Sequence, residues 1–226
     1  MTMPLNQDDM HTNGHNGVHL YPIEPQHVQR QAILHEVQLE KKVDHARLHE
    51  LGRELLIALG ENPDREGLQE TPRRWADWWR EFIEYHPGTT ETTFHITATN
   101  QLVAVSGMRV FSLCEHHLLP MWCDVSIGYI PDQKVLGLSK FARIAHQFAH
   151  QLQLQERLGE QIADEIGRIT GSQDLAVVIK GEHLCMSARG IRTPAVMTTS
   201  VMCGSFRTER DLRTEFLQMI QVARSS

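Results

Sequence analysis

The chain has 226 residues, and 22 Lys and Arg against 28 Asp and Glu leave a formal charge of −6 with histidine neutral. At 41% hydrophobic and 22% charged it reads as one domain of ordinary size, or a domain with a tail, able to bury a core and unlike a disordered polyelectrolyte. The mild negative balance offers no field for a nucleic-acid backbone or an anionic membrane, so an anionic ligand has to be met by a local cluster of Arg and Lys.

Residues 1–38 mix Asn, Gln, His, Gly and Pro without lasting apolar periodicity and read as a flexible extension. Seven of the 14 histidines (His11, His15, His19, His27, His35, His45, His49) lie in the first fifty residues, and their spacing repeats nothing that suggests more than a weak metal tract. The first 16 residues lack the apolar segment of a signal peptide, and no apolar run approaches the roughly 20 residues of a spanning helix. A cytoplasmic protein with no membrane or nucleic-acid partner is expected.

From residue 39 to 59, Val43, Ala46, Leu51, Leu55 and Leu59 lie roughly on one helical stripe, and Gly60 and Pro63 supply stop signals. Thr71-Pro72 has the form of an N-cap followed by a first-turn proline. The helix it opens carries Trp75, Trp78, Trp79, Phe82 and Ile83 on one stripe. Strands are expected over 102–105 and 108–113, with a bulge or bend at Gly107 between them. Over 121–130 strict alternation predicts a half-buried strand. A helix opens near Ser139 with Phe141, Ile144, Ala145, Phe148 and Ala149 inward, and a second from about Gln155 with Leu158, Ile162, Ile166 and Ile169 inward, closed by Gly171. Residues 175–179, 182–189 and 195–202 read as three more strands, and 208–211 as a capping box for a last helix ending near Val222. This order does not alternate as βαβ units do, which predicts an α+β fold with a largely antiparallel sheet.

The chemistry concentrates in two segments. Cys114-Glu115-His116-His117 places a thiolate and an imidazole at C-x2-H spacing after a strand, and Glu182-His183-Leu184-Cys185 follows about seventy residues later. If 182–189 is a strand, His183, Cys185, Ser187 and Arg189 share one face, while Leu184, Met186 and Ala188 face the core. The four cysteines (Cys114, Cys123, Cys185, Cys203) are too few and too scattered for a disulfide framework. They admit three readings: small buried hydrophobes, a closed structural zinc completed by Cys123 or Cys203, or a three-ligand zinc with an open position. Cys123 falls on the apolar parity of its strand, and Cys203 follows a run with no other ligand type. Both read as core residues, which favours the open site and hydrolysis.

Ser139 and Lys140 begin a helix whose N–H groups favour an anion, and Arg143 lies on the same polar side. Arg189 and Arg74 would add to a phosphate site if the fold brings them near. Gln155-Glu156 opens the next helix, where an acid also suits the dipole.

Together, Cys114-Glu115-His116-His117, Gly137-Leu138-Ser139-Lys140, Gln155-Glu156-Arg157-Leu158, His183-Leu184-Cys185 and Ala188-Arg189-Gly190 resemble, in order and interval, the type I GTP cyclohydrolases, and Glu70-Thr71-Pro72-Arg73-Arg74 resembles that family's ETPxR segment. The resemblance runs from about residue 39 to the end. It implies the tunnelling fold: a largely antiparallel four-stranded sheet with helices on one side, a helical part at about 39–88 and a core at about 89–226. It further implies a homodecamer with active sites between subunits. The implied reaction converts GTP to 7,8-dihydroneopterin triphosphate with release of formate, the first step of pterin synthesis. Cys114, His117 and Cys185 are then the ligands of one zinc ion per subunit, and His116 and His183 the proton-transfer pair. Arg74, Ser139, Lys140, Arg143 and Arg189 resemble the triphosphate-binding groups, and Gln155 and Glu156 the guanine readers. Ser187 stands where many members place Lys, and Cys203 where small residues such as Gly are common.

Overall fold

The structure is a computed structural model that describes residues 41–97 and 101–222; the extension expected over 1–38 lies outside the described residues. Two helices lead, α1 (His45–Ala58) and α2 (Thr71–Ile83). Then come β1 (Thr93–His95), β2 (Val103–Cys114), β3 (Pro120–Tyr129), β4 (Lys134–Leu136), α3 (Leu138–Ala149), β5 (Leu152–Gln153) and α4 (Gln155–Thr170). The chain closes with β6 (Leu175–His183), the single turn α5 (Leu184–Ser187), β7 (Val196–Met202), the short α6 (Ser205–Thr208) and α7 (Arg210–Val222).

The α+β class and the antiparallel sheet are as expected. Strands β2, β3, β6 and β7 pair antiparallel in that order, and the two-residue β5 joins β2 in parallel as a fifth strand. A separate two-stranded ladder joins β1 to β4. Gly107, at φ +76°, sits in a register shift: Val105 pairs with Ile127, but Met108 pairs with Val125. Three steps on β2 thus oppose two on β3, the signature of a bulge.

Alternation divides the sheet into two faces. Val110, Cys123, Val125, Ile127, Val177 and Ile179 pack with Phe141, Ile144, Leu158, Ile162 and Ile166 of α3 and α4 in the main core. Each fully buried side chain of this size contributes about 1.5–3 kcal/mol relative to exposure. The two long helices cover one side as expected, but the opposite face is not bare. There Ala176 and Val178 pack against Phe206, Phe216 and Ile220 of the C-terminal helices. Gly128 permits this, since a Cβ on it would lie 2.6 Å from the Phe216 ring. For the same reason Ser126 and Gly128, expected on the open face of a half-buried strand, are buried.

Three expectations change. Residues 182–189 are not a strand: β6 runs unbroken to His183, and Leu184–Ser187 then forms a helical turn closed by Ala188 N–H donating to Leu184 O. Leu and Met favour a helix, and no β-branched residue in the turn resists it. The last helix is not capped by Thr208, which ends the separate turn α6. At α2, Glu70 occupies the cap position without a capping hydrogen bond and instead accepts from Arg73 Nε at 2.8 Å.

Candidate active site

The site is built at one end of the sheet, where β2 ends, β3 begins and β6 ends on adjacent strands. Between β2 and β3 the chain makes one helical turn, with Leu118 N–H donating to Cys114 O at 2.8 Å and Leu118 itself left-handed at φ +55°. Residues three apart in such a turn fall on one side. That is why the C-x2-H spacing works here: Cys114 Sγ and His117 Nδ1 are 3.6 Å apart. His183, the last residue of β6, pairs with Met121 across the ladder, and Cys185 sits in the turn that follows.

Ligand atoms of Cys114, His117 and Cys185 all lie within 4.8 Å of one another, and among the described residues this is the group of His, Cys, Asp and Glu side chains able to hold a metal ion. The donor set suits zinc in kind, and its Cys114–His117 pair suits it in spacing. A tetrahedral ion with Zn–S near 2.3 Å and Zn–N near 2.05 Å implies a sulfur–nitrogen edge of roughly 3.6 Å. Cys123 and Cys203 stay out of the group. Cys123 is fully buried, and burial pushes its thiol up to about 12. Cys203 packs against the main core, and burial raises its thiol too. At Cys185, burial and then the neighbouring Cys114 raise the thiol above its ordinary value, while Arg189 opposes them by charge.

Around this group the structure gathers several expected residues. His116 Nδ1 lies 3.9 Å from Cys114 Sγ, and its ring is exposed. Burial pushes the His183 imidazole below its ordinary range, opposed by the charge of Glu156, which is exposed in the first turn of α4. Arg189 is exposed in the turn beyond α5. The face-sharing expected of His183, Cys185, Ser187 and Arg189 does not occur, because only His183 is in a strand. Ser187 Oγ instead donates back to His183 O at 3.3 Å. Gln155 is 1% exposed, with its amide engaged on all sides.

The remaining anion-directed residues stand apart. Lys140 Nζ donates to Thr89 O at 2.8 Å and Arg143 Nη1 to Pro87 O, and none of their hydrogen bonds reaches the cysteine–histidine group. Ser139 is exposed in the first turn of α3. Arg74 is exposed on α2, where its charge helps hold the Glu70 carboxyl below the usual range, after Arg73.

Sequence reasoning missed the support behind the Cys114 turn. Arg157 bridges Glu115 Oε2 (2.5 Å), Gln153 Oε1 (2.7 Å) and Leu152 O (2.9 Å). Gln153 and Gln151 both donate to Gln161 Oε1 and to Phe148 O. The Gln-Leu-Gln-Leu-Gln alternation over 151–155 was the available signal.

An antiparallel α+β sheet with a group of two cysteines and one histidine at its end, flanked by further histidines, defines the class: a protein with a site able to hold a metal ion at the end of its sheet. The particular family follows from comparison. The pattern of the family GTP cyclohydrolase I matches residues 48–221. A protein named GTP cyclohydrolase 1 from Hyperthermus butylicus is 45% identical over 184 residues, spanning 81% of this chain and 95% of the relative. Proteins named GTP cyclohydrolase 1 1 from Pseudomonas syringae pv. tomato and GTP cyclohydrolase 1 from Aquifex aeolicus are 44% and 42% identical, over 76% and 79% of this chain and 95% and 98% of theirs. The chain belongs to the GTP cyclohydrolase I family of enzymes. Its α+β architecture is consistent with the tunnelling fold of that family.

Proposed function

We propose that this enzyme hydrolytically opens the imidazole ring of guanine in GTP, releases formate and recloses the product as 7,8-dihydroneopterin triphosphate, with one zinc ion per subunit held by Cys114, His117 and Cys185. The observation that carries this is the convergence of those three ligands from distant segments beside His183, in a chain of this family. Cys114, His117 and Cys185 would hold a divalent cation there, which would lower the pKa of water to about 7 and so make a nucleophile available.

The chain's own residues do the rest. Carbon-8 of guanine is a poor electrophile until the neighbouring ring nitrogen is protonated, and His183 supplies that proton. His116, exposed 3.9 Å from Cys114 Sγ, serves the later acid and base steps of ring opening and rearrangement. The Glu156 carboxylate accepts from the N1–H and the exocyclic amine of guanine; adenine would leave it facing an unprotonated nitrogen, which excludes ATP. Arg189 binds the triphosphate from the same end of the sheet. Arg74, Ser139, Lys140 and Arg143 complete that site from a neighbouring copy in a homo-oligomer, a decamer by family resemblance. This arrangement accommodates the separation of Lys140 and Arg143 from the cluster within one chain. The catalytic unit is 39–226, acting in the cytoplasm; no helix among the described residues is long and apolar enough to cross a membrane.

Elemental analysis of the purified protein, paired with a formate assay on GTP, tests the proposal. One zinc per chain, with formate and a neopterin product in equal amounts, is expected. Accumulation of a formamidopyrimidine without neopterin would favour an enzyme that stops at ring opening, and bound metal without turnover would leave only a binding module.

A further inference from the structure

Gln155 begins α4 beside Glu156, yet its surroundings differ from those of a ligand-reading residue. The side chain is 1% exposed. Its Nε2 lies 3.2 Å from Ile179 O, 3.0 Å from Met197 O and 3.2 Å from Thr199 Oγ1. Backbone carbonyls only accept, so the amide nitrogen has to face β6 and β7, and this fixes the orientation of the whole carboxamide. Both of its N–H donors are thereby used. Oε1 then points the other way, 3.0 Å from His183 Nε2. An amide oxygen cannot donate, so the hydrogen in that bond sits on His183 Nε2, and Nδ1 remains the ring nitrogen free to exchange a proton.

The sequence makes room for this contact at one further position. Gly181 lies under the carboxamide, and a Cβ there would fall 2.1 Å from Gln155 Oε1, 3.0 Å from its Cδ and 3.2 Å from Cys123 Sγ. Two of the three are atoms of the amide itself, so any side chain at 181 displaces the acceptor that His183 meets. A purely structural glutamine would need only its donors to tie α4 to β6 and β7; an oxygen aimed at a site imidazole is an additional feature.

We propose that Gln155 is a positioning residue that sets the tautomer and ring orientation of His183, and that it does not read guanine. This rests on the reading of His183 as a catalytic proton donor given above. Outer partners of metal-ligating imidazoles typically change affinity or activity by about 10- to 100-fold when removed, and the same scale is taken for an imidazole that transfers a proton. Gln155→Leu is therefore expected to lower kcat for formate release by about that factor while KM for GTP stays within about twofold. Gly181→Ala, which keeps Gln155, is expected to act in the same direction by less.

The decisive comparison places Gln155→Leu on a His183→Ala background and measures GTP affinity by equilibrium dialysis, together with the histidine nitrogen-15 spectrum of the otherwise unaltered enzyme. The proposal expects no further loss of affinity in the double variant and a His183 ring protonated at Nε2. A tenfold loss of GTP affinity on adding Gln155→Leu, or a His183 ring protonated only at Nδ1, overturns it while leaving the parent reading intact. Full formate release by His183→Ala alone overturns the parent reading and this proposal with it. If Gln155→Leu does not fold, the spectrum and Gly181→Ala decide: unchanged kcat in a folded Gly181→Ala whose ring tautomer is also unchanged, despite displacement of the amide, counts against the proposal.

Discussion

The end of the sheet and the start of α3 are both rich in functional residue types, but the chain treats them differently. At the sheet end, short-range geometry assembles everything: one helical turn sets Cys114 and His117 3.6 Å apart, and strand pairing brings His183 and Cys185 alongside. At α3 the cations are held by backbone carbonyls of Pro87 and Thr89 and make no hydrogen bond to the cluster. One region is complete within a single chain, whereas the other is poised on a connecting segment. Secondary structure alone can thus bring together a group able to hold a metal ion, while the cations at the start of α3 are committed to the segment that precedes β1.

The most severe test of this contrast is Cys185→Ser. It is expected to abolish metal retention and detectable formate release while the circular dichroism spectrum and cooperative melt remain, because Cys185 contributes little to the core. A variant that unfolds instead would make the sheet end a structural metal site. His183→Ala comes next: metal content should stay near that of the parent, with formate release falling by about 10²–10⁴-fold, the usual contribution of a general acid.

On the other side of the comparison, Lys140→Ala should weaken GTP binding by about 10- to 100-fold, the scale of one charge-assisted hydrogen bond, and leave guanosine binding unchanged. Equal losses for both ligands would place Lys140 at the base. Co-expressed with Cys185→Ser chains at limiting GTP, Lys140→Ala chains should give more activity than the two separate proteins together; a rate that is merely additive would confine each site to one chain.

The smallest expected effect concerns the packing of α2 on α3. His150 stacks on Tyr85 at 3.9 Å and lies 5.0 Å from Phe82, and His146 is 5.6 Å away. Burial holds both imidazoles below their ordinary range, with the charge of His150 adding to the effect at His146. A histidine whose folded pKa is depressed binds its proton more readily in the unfolded chain, so stability is greatest above about pH 6.5 and declines as the pH falls below it. His150→Gln should accordingly flatten the fall in Tm between about pH 7.5 and 5.5. A slope identical to the parent's would show that this ring does not contribute.

Much of this was legible in the sequence because local signals and tertiary environment agree. The stripes of α3 and α4, the bulge glycine, the left-handed Gly171 at the end of α4 and the C-x2-H turn each follow from residues within a few positions of one another. What escaped depends on distant partners. Leu184-Cys185-Met186-Ser187 alternates as a strand does although its propensities favour a helical turn, and where β6 leaves the sheet decides between them. The burial of Gln155 is invisible in a first helical turn of Gln and Glu, since nothing nearby says that Ile179 O and Met197 O wait for its donors. The C-terminal cover over Ala176 and Val178 likewise needed Gly128 and Phe216 to be seen together.

The irregularity at Gly107 has a reach beyond its own neighbourhood. Upstream of it, odd-numbered Val103 and Val105 point toward the helix pair; downstream, even-numbered Met108 and Val110 do, and Ser112, bonded to Ala149 O at 2.6 Å, keeps that phase. Cys114 inherits it two residues later. If the strand ran regularly through 107 instead of bulging, the odd-numbered phase of Val103 and Val105 would persist to its end and turn the Cys114 sulfur to the opposite side of the sheet. The reading frame of the whole metal-binding end is therefore written seven residues before its first ligand.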